Sequence, residues 1–132
     1  MIAMAQTHTV SFNWASPGSS LAYSKAYTAT NETNIVGETI ADNATDYEIV
    51  VAIDVSAVKS FYVVSDQAIT IETNNGTTPD DTLNLAAGIP YVWTTDMLDS
   101  FLLGTDVTSI FVTNASGATA TLHLRCLQDA TP

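Results

Sequence analysis

The chain has 132 residues, 46% hydrophobic and only 13% charged, with a formal net charge of −11 from 14 acids against 3 bases. That length and apolar content describe one domain with its own core and exclude a disordered chain. The acidity excludes a protein that grips nucleic-acid phosphates or an anionic membrane surface. One cysteine, Cys126, excludes an intrachain disulfide and any zinc site built on several thiolates.

The N-terminal "MIAMAQTHTV" lacks a basic n-region and a signal-length apolar run, and Met4 offers an alternative start. No uninterrupted apolar stretch reaches the roughly 20 residues of a membrane span. Residues 1–6 and 128–132 read as flexible tails around a single domain.

Period-two alternation follows. In "HTVSFNW", Val10, Phe12 and Trp14 share one face of a half-buried strand. "SPGSS" is turn chemistry. "LAYSKAYTA" alternates again, with Leu21, Tyr23, Lys25 and Tyr27 on one face. Lys25 is placed at the edge of that face, where its stem can lie along apolar surface. "TNETN", residues 30–34, reads as a loop, and "IVGETI" as a short strand with Gly37 at a bulge. After the loop "ADNATD", "YEIVVAIDV" reads as a central strand with Ile49, Val51 and Ile53 inside. The chain corners at 54–58, then continues through "SFYVVS" and "AITIET" to the turn-rich "NNGTTPDD".

In "LNLAAGIPYVW", Leu83 and Leu85 are core positions, Gly88 and Pro90 turn the chain, and Tyr91 and Trp93 present two large aromatics. "TTDMLDSFLLG" carries the only helix signal, near 95–103: Thr94 or Thr95 as cap, Asp96 in the first turn, Gly104 as stop. The same residues also suit an irregular loop. "DVTSIFVTN" and "GATATLHLRCL" form a last strand pair joined by "NASG". Ala118, Ala120, Leu122, Leu124 and Cys126 point inward, and Thr119, Thr121, His123 and Arg125 point outward. About eight strands at 8–14-residue spacing predict an all-β, two-sheet β-sandwich, jelly-roll or immunoglobulin-like, with at most that one short helix.

Little here carries chemistry. His8 and His123 are the only histidines and read as surface residues, so no metal site is assigned. "DNATD" (Asp42, Asn43, Asp46) and "NNGTTPDD" (Asn74, Asn75, Asp80, Asp81) hold calcium-type oxygens, but neither has the EF-hand spacing and both read as turns. No G-x-S-x-G, no phosphate-cradling glycine loop and no distinctive carboxylate pair appears, so no catalytic residue and no cofactor is assigned. The N-x-[ST] triplets at Asn31, Asn43, Asn75 and Asn114 read as chance in a Thr/Ser/Asn-rich chain.

From Ile49 onward, "AIDVSAVKSFYVVSDQAITIETN", "PDDTLNLAAGIPYVW" and "GTDVTSIFVTNASGATATLHLRCLQD" together resemble small decoration (cement) proteins and related virion surface proteins of tailed bacteriophages. The likeness lies in an L-x-L-A-A-G-x-P-x-x-W corner leading to D-V-T-x-I-x-V-T-N and A-T-L strands, over roughly residues 49–129. It implies a non-enzymatic structural protein on the capsid exterior, made in the bacterial cytoplasm. It further implies the major capsid protein as partner and a homotrimer that stabilises the lattice.

The candidate interface residues are Tyr91, Trp93, Met97, Phe101 and Leu102, with Trp93 itself read as packing into its own sandwich. Two rival readings stand beside this. A carbohydrate-binding or host-recognition module predicts Tyr91 and Trp93 exposed. A small β-sandwich enzyme predicts a pocket of converging carboxylates with a raised pKa.

Overall fold

The structure, a computed structural model, describes residues 5–129. Among these described residues there are ten strands and no α-helix: β1 (Gln6–Ser16), β2 (Ser19–Ala29), β3 (Asn31–Ile40), β4 (Tyr47–Ile53), β5 (Val58–Ser65), β6 (Ile69–Thr73), β7 (Thr82–Leu85), β8 (Tyr91–Thr94), β9 (Val107–Thr113) and β10 (Ala120–Gln128). One 3-10 turn, Val55–Ala57, makes the corner expected at 54–58, with the Asp54 carboxylate accepting from the Ser56 amide. Both proposed tails shrink, since Gln6 and Gln128 lie in strands and Gln128 is buried. The proposed Met4 start lies outside the described residues.

Eight strands form the sandwich. One sheet runs β3-β10-β5-β8 and the other β4-β9-β6-β7. The antiparallel pairs β3–β10, β4–β9, β5–β8 and β6–β7 nest one inside the next. This is one long double strand folded back at the β6–β7 hairpin and rolled up, the topology of a jelly roll. The immunoglobulin alternative, with its ABED and CFG sheets, has a different order.

The core fills the space between the sheets. β10 contributes Ala120, Leu122, Leu124 and Cys126, and β5 contributes Phe61 and Val63. The facing sheet contributes Val51, Ile53, Ile69, Ile71, Leu83, Leu85, Ile110 and Val112. Period-two alternation places each set on one face of its strand. Burial pushes the Cys126 thiol up to about 12, so it packs as a small apolar group and is not a nucleophile near neutral pH.

Several expectations need correction. Residues 30–34 are not a loop, because β3 starts at Asn31 and pairs with the end of β10. Strand β4 is apolar yet lies at a sheet edge, not in the centre. Gly37 does mark a bulge: the β3–β10 register slips there, and Gly37 has φ +68°. Between 95 and 106 the chain forms turns instead of a helix. Phe101 packs on Trp93 and Phe61 and Leu103 enters the core, while Leu98 and Leu102 stay exposed. The largest revision concerns β1 and β2. They form a separate two-stranded ribbon, with eleven residues in each strand, that belongs to neither sheet.

Candidate interaction surface

The opening aromatics of β8 are consumed within the molecule. Strand β8 pairs with β5 so that Trp93 lies beside Phe61 on the inner face, while Val92 lies beside Tyr62 on the outer face. Phe101 closes over this edge, stacking on Trp93 (centroids 4.8 Å apart) and meeting Phe61 edge-on at 5.1 Å. Tyr91 completes the group, 5.9 Å from Phe61. The polar handles are satisfied locally: Trp93 Nε1 donates to the Asp99 carbonyl at 2.9 Å, and the Leu102 amide donates to Tyr91 Oη at 3.0 Å. Aromatic residues bury readily when their N–H and O–H find such partners.

Three of the five candidate interface residues, Tyr91, Trp93 and Phe101, therefore form an internal plug that ties the 95–106 segment to β8. Met97 is half-buried. Leu102 is exposed on the rim, next to fully exposed Leu98.

Exposed aromatics cluster elsewhere, on the ribbon, while Tyr47 and Tyr62 are exposed singly on the body. Pairing of Trp14 with Leu21 and of Phe12 with Tyr23 places these four side chains on one face. Trp14 is 79% exposed, Leu21 75%, Tyr23 44% and Phe12 41%. The Phe12 and Tyr23 rings stack at 6.0 Å. Thr7, Ser11, Ser24 and Thr28 occupy the opposite face, joined across the strands as Thr7–Thr28 and Ser11–Ser24 hydroxyl pairs. Phe12 and Trp14, read as sharing one face of a half-buried strand, are exposed on the ribbon and take no part in the sandwich core. Pro17 and Gly18, the latter at φ +85°, make the tight turn at the ribbon tip.

Only the root of the ribbon is fastened to the body. Tyr27 and Ala29 bury against Leu127 of β10, with Val10 packed alongside. Two polar latches flank this contact. Asp96 accepts from Lys25 Nζ at 2.5 Å and from Tyr27 Oη at 2.8 Å. His8 Nε2 meets Glu32 Oε2 at 2.6 Å, and the buried His8 Nδ1 has no hydrogen-bond partner. His8 is thus a root residue and not a surface histidine, whereas His123 is exposed as expected and accepts from the Gly37 amide.

Hydrogen bonds from Lys25 and Tyr27 hold the Asp96 carboxyl below its usual range, and the bond to His8 does the same for Glu32. Carboxyls with depressed folded pKa values stabilise above their unfolded values and lose that contribution as pH falls through the folded ones. The latches are therefore expected to open in acid, below the ordinary carboxylate range, while the sandwich stays folded. Amide hydrogen exchange at Thr28 to Asn34, rising before exchange in β10, checks this. Simultaneous loss of both regions counts against it.

Between β1 and the outer face of the β3-β10-β5-β8 sheet runs a cleft of about 690 Å³. Its walls include Val10, Phe12, Val36, Tyr62, His123 and Arg125, and none of its lining residues is acidic. In a chain with 14 acids this is a distinct surface.

The calcium-type loops serve as turns. Asn43, Asp46 and Asn74 take positive φ. Asn75 Oδ1 accepts from the Thr77 and Thr78 amides, and Asp81 Oδ2 accepts from those of Gly104 and Thr105. Among the described residues, no three His, Cys, Asp or Glu side chains gather as a metal-holding group. Asn114, one of the sequon asparagines, is fully buried.

Residue by residue, the ribbon was legible as strand but not as surface. Its signals were the Pro-Gly turn between two long alternating runs, Lys25 within the apolar face, and the absence of any acid before Glu32.

The fold and this surface define an all-β jelly-roll protein with a projecting amphipathic ribbon. No protein-family model, curated protein or solved structure matches the chain.

Proposed function

We propose that this chain is a non-enzymatic structural protein that works by docking, as a decoration protein on the outer surface of a tailed-phage capsid. The observation that carries the docking reading is the ribbon: an apolar face of Phe12, Trp14, Leu21 and Tyr23 left uncovered on a body whose own core is complete. Contiguous exposed apolar patches rimmed by polar residues mark interaction sites. The capsid as destination is supported by the resemblance of residues 49–129 to phage cement proteins. Tyr91 and Trp93 stack within the plug, so the platform that a carbohydrate-binding reading needs from them is already occupied.

Co-sedimentation of the full chain with expanded, DNA-free shells of tailed phages tests the proposal, with a glycan array run alongside. Saturable binding at a fixed ratio to capsid subunits, with shells that break at higher temperature, is the expected result. Capture by glycans with no binding to any shell overturns the capsid reading.

A further inference from the structure

Among the described residues, the outer half of the ribbon has no third strand, and Trp14 and Leu21 lie outside both buried clusters. A lone two-stranded hairpin is at best marginally stable in water. At roughly 150–250 Å² per large aromatic, the exposed parts of Phe12, Trp14, Leu21 and Tyr23 amount to about 500 Å². That lies high in the range of about 300–600 Å² for the largest apolar patch on a monomer.

Charge narrows the choice of what covers it. Residues 1–31 contain no acid and carry a formal +1 from Lys25, while the remaining residues carry −12, together the −11 of the whole. Lys25 is already compensated by Asp96. Two bodies meeting through their acidic surfaces repel each other. Two ribbons meet with almost no charge between them.

We infer that the apolar face of the ribbon is a self-association surface, covered by the ribbon of a second copy of this chain through Phe12, Trp14, Leu21 and Tyr23. The inference rests on reading the ribbon as a docking element; it gives this face to a second copy and leaves shell contact to the other surfaces of the assembled protein. A ribbon-to-ribbon contact is self-complementary, the form that a two-fold interface takes. It buries the patch on both sides, on the order of 1,000 Å², which reaches the floor for a specific interface. Trp14 and Tyr23 are the residue types that anchor such contacts. Phe12 also lines the cleft between β1 and the sheet, which leaves the arm room to adjust as the partner seats.

The test is the mass of the full chain in solution, by light scattering and sedimentation equilibrium, for the native sequence and for the double variant Trp14→Ser, Leu21→Ser. The native chain is expected at a multiple of 14.0 kDa at micromolar concentration. The double variant is expected to be monomeric there, with a dissociation midpoint raised at least about tenfold. Neither side chain belongs to a buried cluster, so the variant should keep the native circular dichroism.

A second arm reads geometry. Cys126 is fully buried, so a cysteine placed at Leu21 is the reactive thiol. Leu21→Cys should form an interchain disulfide on mild oxidation, and Asn13→Cys, on the opposite face, should not. A native mass of 14.0 kDa across the range overturns the inference. So does an oligomer that survives the double substitution, or equal cross-linking from both faces.

Shell binding separates the two proposals. A monomeric native chain that still binds shells removes this inference and leaves the decoration reading. Self-association lost in the double variant, with no shell binding by the native chain, does the reverse.

Discussion

Replacing Asn114 by leucine is expected to cost the fold about 3–5 kcal/mol, the range reached when a buried hydrogen-bond hub is removed. Its carboxamide Nδ2 donates to the carbonyls of Ile40 (3.1 Å), Ala41 (3.2 Å) and Ala118 (2.8 Å). Its Oδ1 accepts from Ser116 N and Oγ, and its backbone amide donates to the Ala44 carbonyl at 2.9 Å. One side chain thus joins the end of β3, the loop after it and the β9–β10 hairpin, closing one end of the sandwich. Leucine fills the space but removes the donor to the Ile40 carbonyl and the acceptor of Ser116 N, at roughly 1–3 kcal/mol each if they stay dry, while the Ala41 and Ala118 carbonyls keep the Ala44 amide and Ser116 Oγ. The midpoint of urea unfolding, compared at constant m-value, measures the effect. Asn31→Ser, an exposed position at the start of β3, is the matched control and should move the midpoint little. A loss below ~1 kcal/mol for Asn114→Leu means that water reaches the freed groups.

Phe61→Ala is expected to destabilise by about 3–5 kcal/mol and also to loosen the 95–106 segment. Phe61 is buried at the junction between the β5 core face and the plug, in contact with both Tyr91 and Phe101. Truncation removes the wall against which Phe101 seats while Trp93 stays stacked on a ring that has lost its backing. In a Trp14→Phe background, Trp93 is the only tryptophan, and its emission should shift to the red in Phe61→Ala before unfolding begins. Unchanged emission with the expected stability loss shows that the Trp93–Phe101 stack stands without Phe61.

Both predictions concern the body, where most strands were legible because they follow period-two alternation. In β10, Ala120, Leu122, Leu124 and Cys126 alternate inward and His123 and Arg125 outward, as the period requires. Leu127 breaks the rule. It lies on the outer face yet is fully buried, because the ribbon root covers it with Tyr27 and Ala29. No local pattern announces a cover that comes from about a hundred residues away in the chain. The same limit explains residues 30–34. Thr33 and Glu32 look like loop until β10 offers its edge, and the register then pairs Thr33 with Cys126 and Glu32 with Leu127.

The candidate site shows the limit more sharply. Trp14 and Trp93 each stand at the end of an alternating apolar face, and in sequence the two are equivalent. Trp93 lies on the inner face of a strand paired to β5, and Phe101 folds back over it. Trp14 lies on a ribbon that leaves the sandwich, and among the described residues no element returns to cover it.

Composition and alternation by themselves determined an all-β chain, the inward faces of its sandwich strands, the buried thiol of Cys126, the bulge at Gly37, and an acidity confined to residues after 31. Only the tertiary structure decided the jelly-roll order, the edge position of β4, the turns in place of a helix at 95–103, and which aromatic face stays uncovered. The physical reason is that a period of two records only that a strand has two unlike faces. Whether the apolar one meets a second sheet, a distant loop or another molecule depends on contacts between residues far apart in the chain.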